Sequence, residues 1–160
     1  VDLFLNALSK LSSPWRAVIV GARDGGNDLK ALAAKLDIAH RITFTGWVDD
    51  PSDYFRRAGI SVFPSRWQEP FGIAGLEAMR HSLPVVGFNV GGVGEWLKDG
   101  KNGISVPPED VDGMADALSQ LLEERNLARQ LGENGRGFAA AFDRNRFIHS
   151  FGRISSEIAG

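Results

Sequence analysis

Two carboxylates, Glu69 and Glu77, bracket a Pro-Phe-Gly turn at 70–72 that opens a predicted helix. A glycine at the start of a helix leaves backbone N–H groups exposed, with the positive end of the helix dipole behind them. Such a helix terminus suits phosphate. One acid stands before the terminus and the other lies inside the helix, so this stretch is the leading candidate for a functional site.

The hydrophobic pattern predicts short strands alternating with helices around this turn. Apolar, mostly β-branched runs predict five strands, at 17–20, 41–44, 60–63, 84–86 and 104–106. Helical spacing predicts helices near 4–11, 29–36, after an N-cap at Asp50, at 72–80, from 91 to about 100 and from Asp110 onward, with a final stripe at Phe147, Phe151, Ile154 and Ile158. The alternation predicts a doubly wound parallel sheet of the Rossmann-like α/β type, in one domain over residues 1–160.

Glycines are predicted to collect at one edge of this sheet. Ligands of open parallel sheets lie beyond the carboxyl ends of the strands. Those ends carry Gly21, Gly46 and the segments 65–72 and 89–92. The Glu69 turn therefore belongs to the predicted ligand edge. The stretch that starts at Gly21 lacks the Gly-x-Gly-x-x-Gly spacing, which argues against a dinucleotide site of that type.

Composition argues against several classes of function. A net charge of −2 and a pI near 5.9 do not fit a protein that coats nucleic acid or adsorbs to membranes, since those carry clustered Lys and Arg. No run approaches the roughly 20 apolar residues of a transmembrane helix. The absence of cysteine removes disulfides and thiolate nucleophiles, and the three histidines lack metal-ligand spacing. A cytoplasmic setting is permitted.

Several motifs resemble one enzyme family, in order along nearly the whole chain. The central run reads Phe63-Pro64-Ser65, then Glu69 through Met79, then Leu83-Pro84-Val85-Val86, with flanking matches at 44–48, 91–95, 99–103 and the helix after Asp110. It resembles the retaining glycosyltransferases of the GT-B type, which have two Rossmann-like domains and include glycogen and sucrose synthases and bacterial mannosyltransferases. Their Glu-x7-Glu motif lies in the C-terminal domain and grips the nucleotide sugar.

The resemblance implies a role for each matching position. Glu69 would meet hydroxyls of the donor sugar and is the catalytic candidate, while the Gly72 and Ile73 amides would lie near the sugar and its phosphate. Glu77 would accept hydrogen bonds from ribose hydroxyls. The backbone from Gly46 to Val48 would face the base. The implied donor-binding set is Glu69, Phe71, Gly72, Ile73, Glu77, Gly46, Val48, Gly21 and Ser65.

Simpler interpretations remain open for these residues. Two acids at this spacing can arise by chance, Gly72 can be an ordinary helix-start glycine, and Gly46 can end a strand in a turn with Trp47 on the surface. Arg66 could neutralise phosphate charge, but a surface arginine beside Trp67 is the preferred interpretation. The histidines are assigned no role.

The resemblance also implies what the chain does as a whole. We expect the donor-binding domain of a hexosyltransferase, truncated at its N-terminus, without its first strand and without the acceptor-binding N-terminal domain, and inactive alone. No metal and no cofactor are expected. The expected substrate is a nucleotide diphosphate sugar, and the expected location is cytoplasmic, which allows contact with the inner membrane face through the missing domain. Two alternatives stay open: a related sugar-nucleotide epimerase or phosphorylase, and a non-catalytic Rossmann-like module.

Overall fold

A computed structural model describes residues 1–21 and 26–142. The strands in these ranges are β1 (Ala17–Val20), β2 (Ile42–Gly46), β3 (Ser61–Phe63), β4 (Val85–Phe88) and β5 (Gly103–Val106). The helices are α1 (Asp2–Ser9), α2 (Gly26–Lys35), α3 (Ser52–Arg57), α4 (Ile73–Arg80), α5 (Val93–Trp96), α6 (Val111–Glu123) and α7 (Arg125–Ala139), with 3₁₀ turns at Ala39–Arg41 and Ala140–Phe142. The predicted apolar stripe from Phe147 to Ile158 and the turn residues 22–25 lie outside the described residues.

All strand pairings are parallel, which confirms the predicted α/β class. β1 pairs with β2, and β3, β4 and β5 form a second sheet in that order. No ladder joins β1 to β3 in the described part of the chain, so the expected single sheet is divided in two. Each of the first four strands is followed by a helix that leads to the start of the next strand, as parallel pairing requires.

The core lies around β4, the central strand of the three-stranded sheet. All four of its residues are buried, and α4 and α6 pack against it. α6 packs on β4 and β5 through Met114, Leu118 and Leu121, which recur at helical spacing. Its first turn is fixed by the Asp110 carboxylate, which accepts a hydrogen bond from the Gly113 N–H at 2.8 Å.

Two predicted helix limits are wrong by a few residues. α5 ends at Trp96 rather than near position 100, because the buried Asn102 side chain donates to the Trp96 carbonyl and accepts from the Lys98 N–H. These bonds replace the next helical turn. α3 begins at Ser52, and Asp50 accepts from the Ser52 N–H at 2.9 Å while standing two residues before the helix.

Every helix within residues 1–21 and 26–142 is too short or too polar to cross a bilayer.

Candidate functional site

The turn before α4 requires glycine at position 72. Gly72 adopts left-handed angles, φ 84° and ψ 60°, and a Cβ there would stand 2.8 Å from the Phe63 ring. Because glycine has no side chain, no side-chain cap covers the first N–H groups of α4. The amides of Ile73 and Ala74 therefore begin the helix without a capping group, at the positive end of its dipole.

Glu69 is held in place by its own loop. The Ser65 hydroxyl donates to the Glu69 carboxylate at 2.8 Å, and the Glu69 N–H donates to the Trp67 carbonyl at 2.7 Å. The side chain is half-buried, whereas Trp67 beside it is 82% exposed. Two anchors, one on the carboxylate and one on the backbone, thus restrict where this acid can go.

The Gly91–Gly92 pair braces the same turn from the β4–α5 loop. The Gly92 N–H donates to the Glu69 carbonyl at 2.8 Å. A Cβ on Gly91 would lie 2.3 Å from the Glu69 carbonyl oxygen, and one on Gly92 would lie 2.2 Å from that of Pro70. The loop backbone lies so close to the turn that a side chain at either position would collide with it. Both positions therefore require glycine.

Trp96 supports the turn from the protein interior, a role that the sequence did not predict. Its indole N–H donates to the Phe71 carbonyl, and its fully buried ring meets Phe63 edge-on at 5.6 Å. Gly75 makes room for that ring, since a Cβ there would be 2.0 Å from Trp96. A tryptophan inside a glycine-rich segment was the available signal, but its partners are distant in sequence.

Glu77 lies in the second turn of α4, on its outer face. The side chain is exposed and makes no ion pair or side-chain hydrogen bond within the described residues. Ile73, one turn earlier on the same face, is 66% exposed, while Leu76 and Met79 are buried. The uncapped helix start and the Glu77 carboxylate therefore share one accessible side of α4.

Gly21, Gly46 and Val48 lie at the end of the other sheet. The Gly21 N–H donates to the Gly46 carbonyl at 2.8 Å, and both glycines have positive φ. Trp47 beside them is 70% exposed, and Val48 is half-buried. The structure thus brings these residues together, and separately gathers Ser65, Glu69, Phe71, Gly72 and Ile73, without a described contact between the two groups.

Two further polar residues, one in the loop before α4 and one at its end, have local partners. The Arg66 guanidinium lies 3.6 Å from the Asp2 carboxylate of α1. His81 is at the opposite end of α4, where its ring stacks on Phe55 at 5.4 Å. In residues 1–21 and 26–142, no group of three or more His, Asp or Glu side chains is placed to hold a metal ion.

Two cavities lie away from the Glu69 turn and the start of α4. One, of about 470 Å³, is lined by residues at the amino ends of β3 and β4, including Ile60, Pro84 and Arg125. The other, of about 540 Å³, adjoins the loop before β5 and includes Lys98 and Asn134. The candidate site lies outside both, on the carboxyl rim of the three-stranded sheet.

Comparison with known proteins places the chain in a family. The family model for glycosyl transferases group 1 matches residues 1–138. Lipopolysaccharide core biosynthesis mannosyltransferase LpsB of Rhizobium meliloti (strain 1021) is 31% identical over 144 residues, covering 84% of this chain and 41% of the relative. Alpha-D-kanosaminyltransferase of Streptomyces kanamyceticus is 34% identical over 149 residues, covering 88% of this chain and 38% of the relative.

Solved structures show the same fold. Sucrose-phosphate synthase from Thermosynechococcus elongatus superposes with a TM-score of 0.90 at 27% identity, covering 98% of this chain and 41% of that one. Anabaena HepE in complex with UDP-glucose superposes with a TM-score of 0.85 at 22% identity, over 98% of this chain and 44% of that one, a likeness of fold alone. The chain spans about two fifths of the length of these proteins. It belongs to the glycosyl transferases group 1 family, with the Rossmann-like fold of one half of a GT-B enzyme.

Proposed function

We propose that the chain is the donor-binding half of a retaining hexosyltransferase, which moves a sugar from a nucleotide diphosphate sugar to an acceptor hydroxyl. Membership of the family supports glycosyl transfer in general. The observation that carries the donor assignment is the braced turn at Glu69 to Gly72, with an anchored carboxylate beside an uncapped helix start. Two relatives with sugar-transferase names agree with this proposal, as does a structural neighbour that was solved in complex with UDP-glucose.

The helix start would receive the donor phosphate. Its N–H groups carry partial positive charge, and no side chain competes for them within the turn. Gly72 leaves the approach free because it has no Cβ. When the glycosidic bond to phosphate breaks, negative charge grows on the leaving diphosphate, and fixed donors at this position would stabilise it. We expect no metal or cofactor to take part.

Two carboxylates would hold the donor's hydroxyl groups. A carboxylate is an acceptor only and can take two donors at once, which suits a vicinal diol. Glu77, exposed on the outer face of α4, would bind the ribose diol. Glu69 would bind the sugar, and its bond to Ser65 leaves one carboxylate oxygen for a ligand. Anchoring of this kind lowers the ordering cost when the ligand binds.

A second domain would cover this rim and supply the acceptor site. Three large apolar side chains lie exposed where the strands end or α4 begins: Trp47, Trp67 and Ile73, at 70%, 82% and 66%. Apolar surface of this kind commonly marks an interface. Glycosyl transfer also needs the acceptor hydroxyl held beside the donor carbon. We therefore expect the 160-residue chain alone to show no sustained transfer, and to work in a cytoplasmic protein of two domains.

A binding experiment on the complete protein tests the donor assignment. Thermal melting is followed with UDP-, GDP- and ADP-sugars, because a ligand at 100 times its dissociation constant stabilises by about 2.7 kcal/mol. Glu77→Gln should reduce the shift given by the cognate donor. Glu133→Gln, on the exposed face of α7, is the matched control and should leave it unchanged. An unchanged shift in Glu77→Gln would contradict the ribose assignment.

The same experiment separates the alternative functions. A non-catalytic module predicts no shift with any nucleotide sugar. An epimerase predicts a shift but no transfer to an added acceptor hydroxyl, and a phosphorylase predicts transfer from a sugar phosphate rather than from a nucleotide sugar. Addition of EDTA should leave the shift intact if no metal takes part. Sustained product formation by the 160-residue chain alone would show that the expected dependence on a second domain is wrong.

A further inference from the structure

The cavity at the amino ends of β3 and β4 collects cationic side chains that lie far apart in the sequence. Arg56 is in the last turn of α3, while Arg125 and Arg129 are four residues apart on α7 and therefore share one face of that helix. His81, which follows α4, borders the same cavity. Within the described part of the chain, no Asp or Glu side chain lines it. The fold thus assembles a positive cluster that no single segment of the sequence shows.

The same cavity also has an apolar lining. Aliphatic and aromatic side chains from α3, α6 and the segments that lead into β3 and β4 form it: Phe55, Ile60, Leu83, Pro84, Leu121 and Leu122. The His81 ring stacks on Phe55 at 5.4 Å, where the apolar lining meets the cationic groups. The volume of about 470 Å³ lies within the range of small-molecule sites. A ligand that fits this lining has an apolar part and an anionic part.

Two carboxylates approach the cluster without lining the cavity. Asp53 pairs with Arg56 within α3, and both side chains are exposed, so water weakens their attraction. The pKa of Asp50 is lowered by hydrogen bonds from Ser52 and, to a smaller extent, by the charges of Arg56 and His81, which places this acid near both. The two acids therefore offset charge on the side of the cavity that α3 and α4 form.

The charge on the α7 side remains for a ligand. Arg125 and Arg129 are exposed and form no ion pair within residues 1–21 and 26–142. A guanidinium group presents a planar fork of N–H donors that matches phosphate oxygens in pairs. α7 begins at Arg125 without a side-chain cap, so the positive end of the helix dipole lies at the same place. These features favour an anion with more than one charge.

We propose that this cavity binds an organic phosphate monoester, with the phosphate between Arg125 and Arg129 and the organic part on the apolar lining. A phosphate monoester carries a charge of about −1.5 to −2 near pH 7 and has three acceptor oxygens. Its charge therefore matches two arginines, and its oxygens can accept from both guanidinium forks at once.

This site is separate from the Glu69 turn. The cavity lies at the amino ends of β3 and β4, whereas the turn follows the carboxyl end of β3. The inference depends on the arginines and the apolar lining, and it makes no use of the proposed donor chemistry. Either proposal can fail while the other stands, because the experiments below change no residue of the donor site.

Titration calorimetry of the complete protein with phenyl phosphate tests the binding. Phenyl phosphate joins a phosphate monoester to a flat apolar ring. Arg125→Gln and Arg129→Gln, made singly, are each expected to weaken its binding about tenfold, since hydrogen bonds to charged groups are the strong ones. Arg136→Gln is the matched control, because it removes the same charge two turns further along α7 and outside the cavity. Its effect should be less than about twofold, because distant surface charges are screened by salt.

Two calorimetric results would overturn the proposal. One is an equal loss of affinity in Arg129→Gln and Arg136→Gln, since that would reduce the effect to general charge attraction. The other is an absence of binding up to about 10 mM phenyl phosphate, which is weaker than any specific site of this kind would be.

Methyl NMR spectra of the complete protein locate the bound ligand. The phenyl ring shifts the resonances of methyl groups that it contacts, so the methyl groups of Ile60, Leu122 and Ala128 in the cavity lining are expected to shift on titration. Ile73, exposed at the start of α4, reports on binding at the Glu69 turn. Shifts at Ile73 without shifts in the cavity lining would place the phosphate at the helix start and refute the cavity site.

Vesicle binding separates a free phosphate ester from a lipid headgroup of the same chemistry. Phosphatidylcholine vesicles with and without phosphatidic acid are sedimented with the complete protein, because the phosphatidic acid headgroup is a phosphate monoester. We expect no binding to either, since the described chain, at a net charge of −2, is not attracted to an anionic surface as a whole. Binding to phosphatidic acid that Arg129→Gln abolishes and Arg136→Gln preserves would support the site and assign its ligand to a lipid. Binding that both variants weaken equally would count against the site.

Discussion

The two sheets of this molecule differ in how completely they are packed. Val85, Val86 and Phe88 of β4 are fully buried, and helices cover that sheet. In the two-stranded sheet, Val18 of β1 is 48% exposed and no residue of β2 is fully buried. The central strand of the three-stranded sheet is thus fully buried, whereas both strands of the two-stranded sheet remain partly exposed.

The rims of the two sheets differ in the same way. At the end of the three-stranded sheet, Gly92, Trp96 and Ser65 each hydrogen-bond to the Glu69–Phe71 turn. At the end of the two-stranded sheet, one backbone bond joins Gly21 to Gly46, and a Cβ on either would meet nothing within 4 Å. The end of the three-stranded sheet therefore holds the Glu69 carboxylate in place, whereas the end of the two-stranded sheet leaves the backbone of Gly21 and Gly46 accessible.

Tryptophan removal should give the largest contrast between the two rims. Trp96→Ala is expected to lower the free energy of unfolding by about 3–5 kcal/mol, because it leaves a cavity in place of a buried ring and leaves the Phe71 carbonyl without its hydrogen-bond donor. Trp47→Ala, on the open rim, should change it by less than about 0.5 kcal/mol. Urea unfolding followed by circular dichroism measures both. Equal losses would mean that the two rims are equally packed.

Added methyl groups test the same difference without removing contacts. Gly91→Ala should cost about 2–4 kcal/mol, since φ is 52° and the new Cβ would collide with the Glu69 carbonyl. Gly46→Ala has a similar φ of 69° but open space, so only the backbone strain of about 1–2 kcal/mol is expected. Urea midpoints give the comparison. If Gly91→Ala cost no more than Gly46→Ala, the brace would not exist.

The strands were predictable because their physics is local. Short β-branched runs between glycine and proline residues predict buried strands, and 85–88 is indeed buried along its whole length. The start of α4 was predictable for the same reason, since the Pro-Phe-Gly turn at 70–72 marks where a helix begins. Sequence could therefore place Glu69 and Glu77 on either side of a helix terminus, as the structure does.

The features that the sequence did not reveal depend on distant partners. Trp96 supports Phe71 only because Gly75 of another helix leaves room for its ring. α5 ends early because Asn102, six residues beyond Trp96, bonds to its carbonyl. The division of the sheet depends on which strands meet, and no periodicity along the chain encodes that. The sequence marked Gly91 and Gly92 only as part of a glycine-rich loop, and their contact with the Glu69 turn became visible only in the structure.

Removal of a hydroxyl group should weaken ligand binding more at the end of the three-stranded sheet than at the end of the two-stranded sheet. Ser65→Ala frees the Glu69 carboxylate and is expected to weaken donor binding in the complete protein about tenfold, or roughly 1.4 kcal/mol. Thr45→Val removes a hydroxyl that donates to the Gly46 carbonyl at 2.8 Å and fixes no charged group. It should weaken binding less than about threefold. Titration calorimetry with the cognate nucleotide sugar measures both. Equal effects would remove the special role of Ser65.

The smallest expected effect concerns charge beside the open sheet, at the start of α3. Hydrogen bonds from the Ser52 hydroxyl and then the Ser52 N–H lower the pKa of the exposed Asp50 carboxyl below its ordinary value, with help from the Arg56 and His81 charges. A carboxyl with a lowered pKa stabilises the fold when ionised, so its contribution is present above the unfolded-state pKa near 4 and is lost as pH falls through the folded pKa. Asp50→Asn keeps an acceptor for Ser52 and removes only the charge. Its deficit in unfolding free energy, measured by urea unfolding at a series of pH values, should therefore be largest near pH 7 and vanish toward pH 2. A deficit for Asp50→Asn that stays constant with pH would show that its charge contributes nothing to the start of α3.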